Sequence, residues 1–269
     1  MILLLDAGNT YLKWALVDQH TGRKLQPGQS RLSRIGRLRY DGSDLEAALN
    51  SGWSELPDIG RVILAGVADT AVSDSLQRYI QQRWGQRAES VQATASGYGV
   101  VNAYAEPGQL GVDRWLALIA ARRITAEPVS VVDCGTAVTI DRLDAGGQHL
   151  GGLILPGLSM QRQALSAGAA GLSSATRIPD NRWGEKVEAW RGVAVLAQAT
   201  VDAVVGGVLT TVVASIDRCI DEIDRKHGVS LHVLTGGDGP GLQPLLSGQW
   251  ILRPDLVLEG LAIMAEDVR

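Results

Sequence analysis

Apolar positions in this chain fall into short runs that stop at polar turns, and one such pattern occurs twice. Ile2–Leu5 is apolar, too short for a surface helix, and ends at Asp6-Ala7-Gly8. That predicts a buried strand entering a tight turn, with a second strand leaving it and running to Asp18. Val129–Asp144 repeats the arrangement. An apolar run meets Asp133, a small residue and Gly135 follow, then Thr136-Ala137, then a second strand-like run. Two copies about half a chain apart predict a duplicated fold whose halves share a cleft.

Between and beyond the copies, strand and helix patterns mix. Arg23–Arg39 is basic and irregular, with room for a third strand and a loop. Ser43–Trp53 predicts a short helix with Ser43 or Asp44 near its cap, and Arg61–Val67 an apolar strand. Asp69–Trp84 predicts a helix with Leu76, Ile80 and Trp84 on one face, and Ser90–Ala93 an edge strand. Gly97–Gly111 is loop-like, Leu116–Ile124 helical, and Pro128 precedes the second copy. Leu150–Leu155 predicts a strand, closed by Pro156-Gly157, and a helix follows it. Glu185–Lys226 reads as mostly long helix, interrupted or closely packed at Gly206-Gly207. Leu231–Leu234 predicts a strand running into Thr235–Gly239, and Leu256–Asp267 a final helix. The class is α/β, divided as residues 1–115 and 116–269.

Composition narrows the picture. At 269 residues the chain fills one large or two modest domains, and 45% hydrophobic residues supply their cores. A net charge of −4 gives no argument for a nucleic-acid partner. Cys134 and Cys219 form neither a CxxC pair nor a disulfide framework, which fits a reducing, cytoplasmic setting. No positively charged leader precedes the first strand, and no run of about 18 apolar residues predicts a membrane span.

The chemistry concentrates at turns. Gly8 and Gly135 let the backbone turn sharply and a ligand come close, and successive N–H groups in such a turn form an anion site. A strand-end Asp beside it is placed to hold a cation, so Asp, glycine turn and hydroxyl together suit a metal–polyphosphate complex. Thr235-Gly236-Gly237-Asp238-Gly239 adds a third, glycine-rich turn at a strand end. Two turns bracketing phosphates, with a third against a nucleoside, is the arrangement of the acetate kinase, sugar kinase, heat-shock ATPase and actin group. Neither a P-loop nor a dinucleotide-binding glycine motif occurs. Gly111-Val112-Asp113-Arg114 stands at a helix start. Asp113 could take a proton from a hydroxyl, and Arg114 could clamp a carboxylate or phosphate; an N-terminal helix charge pair is the bland alternative. His20, His149, His227 and His232 lie outside every motif and read as surface or satisfied residues. Cys134 reads as a buried small residue.

In order along the chain stand Asp6–Thr10 with Lys13, Tyr104 through Pro107 ahead of Gly111–Arg114, Asp133–Ala137, Gly151–Gly157 and Thr235–Asp238. This ordered set resembles the type III pantothenate kinases, the family that includes the Bvg accessory factor proteins. The resemblance implies an actin-like ATPase (ribonuclease H-like) fold of two similar domains, with the active site in the cleft between them. It implies ATP-dependent phosphorylation of pantothenate to 4'-phosphopantothenate, the first step of coenzyme A biosynthesis, by a homodimer using Mg²⁺ and a monovalent cation, K⁺ or NH₄⁺. By position, Asp6, Ala7, Gly8, Asn9, Thr10, Tyr11, Leu12 and Lys13 would hold the ATP phosphates, with Asp6 on Mg²⁺; Thr136 would also touch ATP, and Asp133 would bind the monovalent cation. Asp113 would accept the proton. Tyr104, Gly111, Val112, Asp113, Arg114 and Thr176 would line the pantothenate site. After Thr176 the family carries Gly-x-Asn-Thr and later Gln-Ser-Gly, whereas this chain has Trp183–Val187 and Trp190–Gly192. That departure leaves an alternative reading, a non-catalytic regulator of the same fold that binds nucleotide.

Overall fold

A computed structural model describes residues 1–8, 11–18, 31–40, 45–66, 70–172 and 196–267. The chain forms two compact units, Met1–Thr125 with Leu256–Arg269, and Ala126–Asp255. The expected division at residue 115 differs from these units at both ends of the second one: the helix that follows Gly111 stays with the first unit, and the last helix returns to it.

In the first unit, β1 (Ile2–Ala7) and β2 (Tyr11–Val17) form the expected hairpin. β3 (Leu32–Arg39) extends it antiparallel, while β4 (Arg61–Ala65) and β5 (Ala88–Ser90) add parallel on the other side. The sheet order is β3-β2-β1-β4-β5. Central β1 is covered on both faces, with Leu3, Leu4 and Leu5 all at 0% exposure. That explains why it reads as a continuous apolar run rather than an alternating one. One core cluster joins Leu3, Leu5, Leu12 and Trp14 of the sheet to Leu49 of α1 (Leu45–Gly52), Trp53, and Leu76 and Ile80 of α2 (Thr70–Trp84). Gly36 lies under Trp14: a Cβ there would meet the indole at 2.3 Å. The edge strand β5 begins two residues earlier than Ser90. The stretch expected as loop contains a small hairpin, β6 (Ser96–Gly97) and β7 (Val100–Val101). It leads into α3 (Val112–Ile124), which packs on the C-terminal helix Leu256–Asp267.

The second unit repeats the plan. β8 (Val129–Cys134), β9 (Ala137–Leu143) and β10 (His149–Pro156) run antiparallel, and β11 (Leu231–Thr235) and β12 (Ile251–Leu252) add parallel, giving the order β10-β9-β8-β11-β12. In β1 every position is buried except Asp6, and in β8 every position except Asp133. α4 (Leu158–Gly168) follows β10. The long helix Thr200–His227 runs unbroken past Gly206-Gly207; of the two expectations there, interruption or close packing, the helix shows no interruption, and Gly206 is buried. The part expected over residues 185–195 lies outside the described residues, and Leu196–Ala199 is not helical. Val204, Val208, Leu209, Val212, Ile216 and Ile220 recur at helical spacing and pack on Val132, Ile140 and Leu234 of the sheet. By length and composition this helix is apolar enough to cross a membrane, which the sequence pattern did not suggest; in the structure one of its faces is committed to the core.

Candidate active site

In the first unit the site grows from the end of β1. Asp6 faces Lys13 directly across the hairpin, and the turn between them is closed by the Gly8 N–H donating to the Tyr11 carbonyl at 3.0 Å. Burial pushes the Asp6 carboxyl up to about 6; Lys13 opposes the rise and the charge of Asp113 adds to it. The fold therefore brings Asp113, 107 positions later in the chain, within electrostatic reach of the strand-end carboxylate. Asp113 itself is exposed in the first turn of α3, where its Oδ1 accepts the Arg114 N–H at 2.7 Å. Gly111 is the N-cap of the helix, and a Cβ there would meet Asp113 Oδ1 at 2.6 Å, so a larger residue would displace that carboxylate.

Arg114, unlike its neighbour, is buried. Its guanidinium lies 5.6 Å over the Tyr104 ring and donates to the Tyr104 hydroxyl at 2.9 Å. That links two candidate substrate residues that the sequence could only place side by side in a motif. Asn102, which sequence reasoning missed, pins this loop: its amide donates to the carbonyls of Thr94 and Pro107 at 3.2 Å, and its oxygen accepts the Tyr104 N–H at 3.0 Å. The available signal was only its identity, an Asn two residues before Tyr104 in a loop-like stretch. Tyr40, also missed, donates its hydroxyl to the Gly8 carbonyl.

In the second unit three turns converge on the end of β8. The second hairpin is closed by the Gly135 N–H on the Ala137 carbonyl at 3.0 Å, a turn one residue tighter than the first. Gly236 has φ +90°, and a Cβ there would meet Asp133 Oδ1 and the Cys134 carbonyl at 2.4 Å; only glycine fits that conformation against that carboxylate. The Asp238 N–H then donates to the Cys134 carbonyl at 2.9 Å. From the other side Gly157 lies against the Gly135 and Thr136 carbonyls, where a Cβ would sit at 2.4 and 2.5 Å. Thr136 is exposed and Asp133 half-buried. Burial, then the charges of Asp133 and Asp238, push the Cys134 thiol well up, so it stays a neutral buried residue.

Asn9, Thr10, Thr176 and the Trp183–Gly192 stretch lie outside the described residues, as does His20. Two histidines prove to be structurally engaged: His149 with Asp141 at 2.9 Å and His232 with Asp224 at 3.0 Å. Among the described residues no group of three or more His, Cys, Asp or Glu gathers as a metal cluster. The Asp6 carboxylate offers hard oxygen donors of the kind Mg²⁺ takes.

A family model described as type III pantothenate kinase matches residues 2–222. The type III pantothenate kinase of Nitrosococcus oceani is 38% identical over 99% of this chain and 94% of its own. Among solved structures, a conserved putative Baf family transcriptional activator from Campylobacter jejuni aligns with TM-score 0.55 at 20% identity over 98% of each chain. A putative 2-dehydro-3-deoxygalactonokinase from Sinorhizobium meliloti aligns with TM-score 0.55 at 14% identity, covering 100% of this chain and 97% of its own. The fold is thus that of the actin-like ATPases and sugar kinases, as expected.

Proposed function

This chain belongs to the type III pantothenate kinase family and phosphorylates pantothenate with ATP, opening coenzyme A synthesis, and from that premise we propose how its residues divide the work. The observation that carries the reading is the pairing of unlike carboxylates in one unit. Asp6 is half-buried beside Lys13 at a glycine turn, and Asp113 is exposed at a helix start within reach of its field.

Phosphoryl transfer asks the protein chiefly for positioning and charge neutralisation. Backbone N–H groups of the Asp6–Lys13 turn receive the phosphates, Lys13 offsets their charge, and Thr136 supplies a further contact to ATP. The Asp6 carboxylate fits Mg²⁺, a hard cation that would screen the phosphate charge. Arg114 and Tyr104, already bonded to each other, line the pantothenate site with Gly111 and Val112; Thr176 joins them by position. Asp113 orients the primary hydroxyl and takes its proton as that oxygen bonds to the γ-phosphorus and the bond to the ADP oxygen breaks. ADP release should rise severalfold on adding pantothenate; release indifferent to pantothenate would refute the assignment.

Asp133 has a different task in this proposal. The residue is half-buried at the end of β8, and its Oδ1 and the Cys134 carbonyl both crowd Gly236, where a Cβ would meet each at 2.4 Å. A carboxylate among turn carbonyls offers the several oxygen ligands that a large monovalent cation takes. K⁺ or NH₄⁺ should activate the enzyme, and Asp133→Ala should abolish the activation. Equal rates with and without potassium chloride, at matched ionic strength, would remove the cation site.

A homodimer is part of the proposal. β10 and α4 expose Leu150, Leu153, Ile154, Met160 and Leu165, apolar side chains that a second copy of the chain would cover. The free thiols of Cys134 and Cys219 support a cytoplasmic setting.

A further inference from the structure

Tyr40 follows the last residue of β3 and is 6% exposed. Its ring belongs to the core cluster that also holds Ala7 and Leu12, which flank the Asp6 turn. Packing alone would account for a phenylalanine here. The hydroxyl does something more: it reaches across 32 positions of sequence to donate to the Gly8 carbonyl. Gly8 is then held at both ends, its N–H on the Tyr11 carbonyl at 3.0 Å and its carbonyl on Tyr40. A glycine free to rotate would otherwise be the softest point of that turn. The Tyr40 bond therefore ties the main chain of the turn to the core cluster at Gly8 itself.

We propose that Tyr40 is a positioning residue for the nucleotide side of the reaction, setting the phosphate turn from the core while touching neither substrate. This rests on reading Asp6–Lys13 as the turn that receives the ATP phosphates. Burial, then the nearby Asp6 charge, keeps the Tyr40 hydroxyl above the ordinary tyrosine range, so it remains protonated and donating where the enzyme works. The effect is asymmetric between substrates: the loop of Tyr104 and Arg114 is pinned separately, by Asn102.

Tyr40→Phe keeps the ring and deletes one hydroxyl. The KM for ATP should rise about threefold to tenfold, the worth of one neutral hydrogen bond, with the KM for pantothenate unchanged. An ATP KM within about twofold of wild type, or both KM values rising together, would overturn the inference. Asp6→Ala measured alongside separates the two ways of failing. If it raises the ATP KM and Tyr40→Phe does not, Tyr40 is a packing residue only. If Asp6→Ala also leaves the ATP KM unchanged, the turn is not the phosphate site, and both readings fall.

Discussion

Asparagine in place of Asp113 should leave ATP binding intact and remove most turnover. The replacement is nearly isosteric, and its side-chain oxygen can still accept the Arg114 N–H that Asp113 Oδ1 accepts at 2.7 Å. The start of α3, and with it the buried Arg114–Tyr104 pair, should therefore stay in place. What disappears is the negative charge and the capacity to take a proton, a loss of about 10²–10⁴ in rate for a general base. The nucleotide side should respond in the opposite direction. The Asp113 charge is one of the influences that raise Asp6, so neutralising it should make Asp6 easier to ionise. Steady-state kinetics with direct nucleotide titration tests both halves. A variant within about threefold of wild-type kcat would show that Asp113 is not the base.

The second large effect is at Asp6, where function and stability should move in opposite directions. Asp6→Asn removes the carboxylate beside the phosphate turn, and the KM for Mg·ATP should rise about tenfold to a hundredfold, as for loss of a charged hydrogen-bonded contact. In protein free of metal and nucleotide the same change should stabilise. The folded-state value of Asp6 is about 6 against an ordinary 3.8, so the folded state holds a proton that the unfolded state releases. The resulting stability is complete below the unfolded value, falls as pH rises between roughly 4 and 6, and is gone above that window. At most about 3 kcal/mol is at stake, less where water reaches the partly exposed carboxylate. Melting temperatures between about pH 4.5 and 8 should therefore decline for wild type and stay flatter for Asp6→Asn, with the variant ahead at neutral pH. Parallel profiles would show that Asp6 is no more than a turn residue in water.

What the sequence made legible and what it hid follow from the range of the interactions. The two hairpins announce themselves because a buried strand needs a local apolar run, and an Asp-x-Gly turn needs a glycine at a fixed offset. The last helix is legible for a similar reason: Leu256, Leu258 and Leu261 sit in a short apolar window and all end at 0% exposure. By contrast, β12 and the β6–β7 hairpin offer two residues per strand, too few to show a period. The Gly206-Gly207 pair left a break and close packing both open, and packing of the helix face against the second sheet outweighs the intrinsic cost of glycine there. In the candidate site the motifs gave residue identities, but not partnerships. That Arg114 donates to Tyr104, or that Tyr40 holds Gly8, depends on how separate elements pack, and no local pattern encodes it.

The C-terminal helix has a consequence for how the chain is made. Its Gly260 lies so close to α3 that a Cβ would meet the Leu116 carbonyl at 2.1 Å, and it shares its compact unit with the very first strand. Residues 126–255, continuous in sequence, can close on themselves as soon as they leave the ribosome. The unit that carries Asp6 and Asp113 must wait for the helix Leu256–Asp267 to be synthesised. The half that emerges first is therefore completed after the second, and until that helix is made the α3 face with buried Leu116 lacks its cover. At about 5–20 residues per second, making residues 126–267 takes roughly 7–30 seconds, long enough for chaperones to act on the nascent first unit.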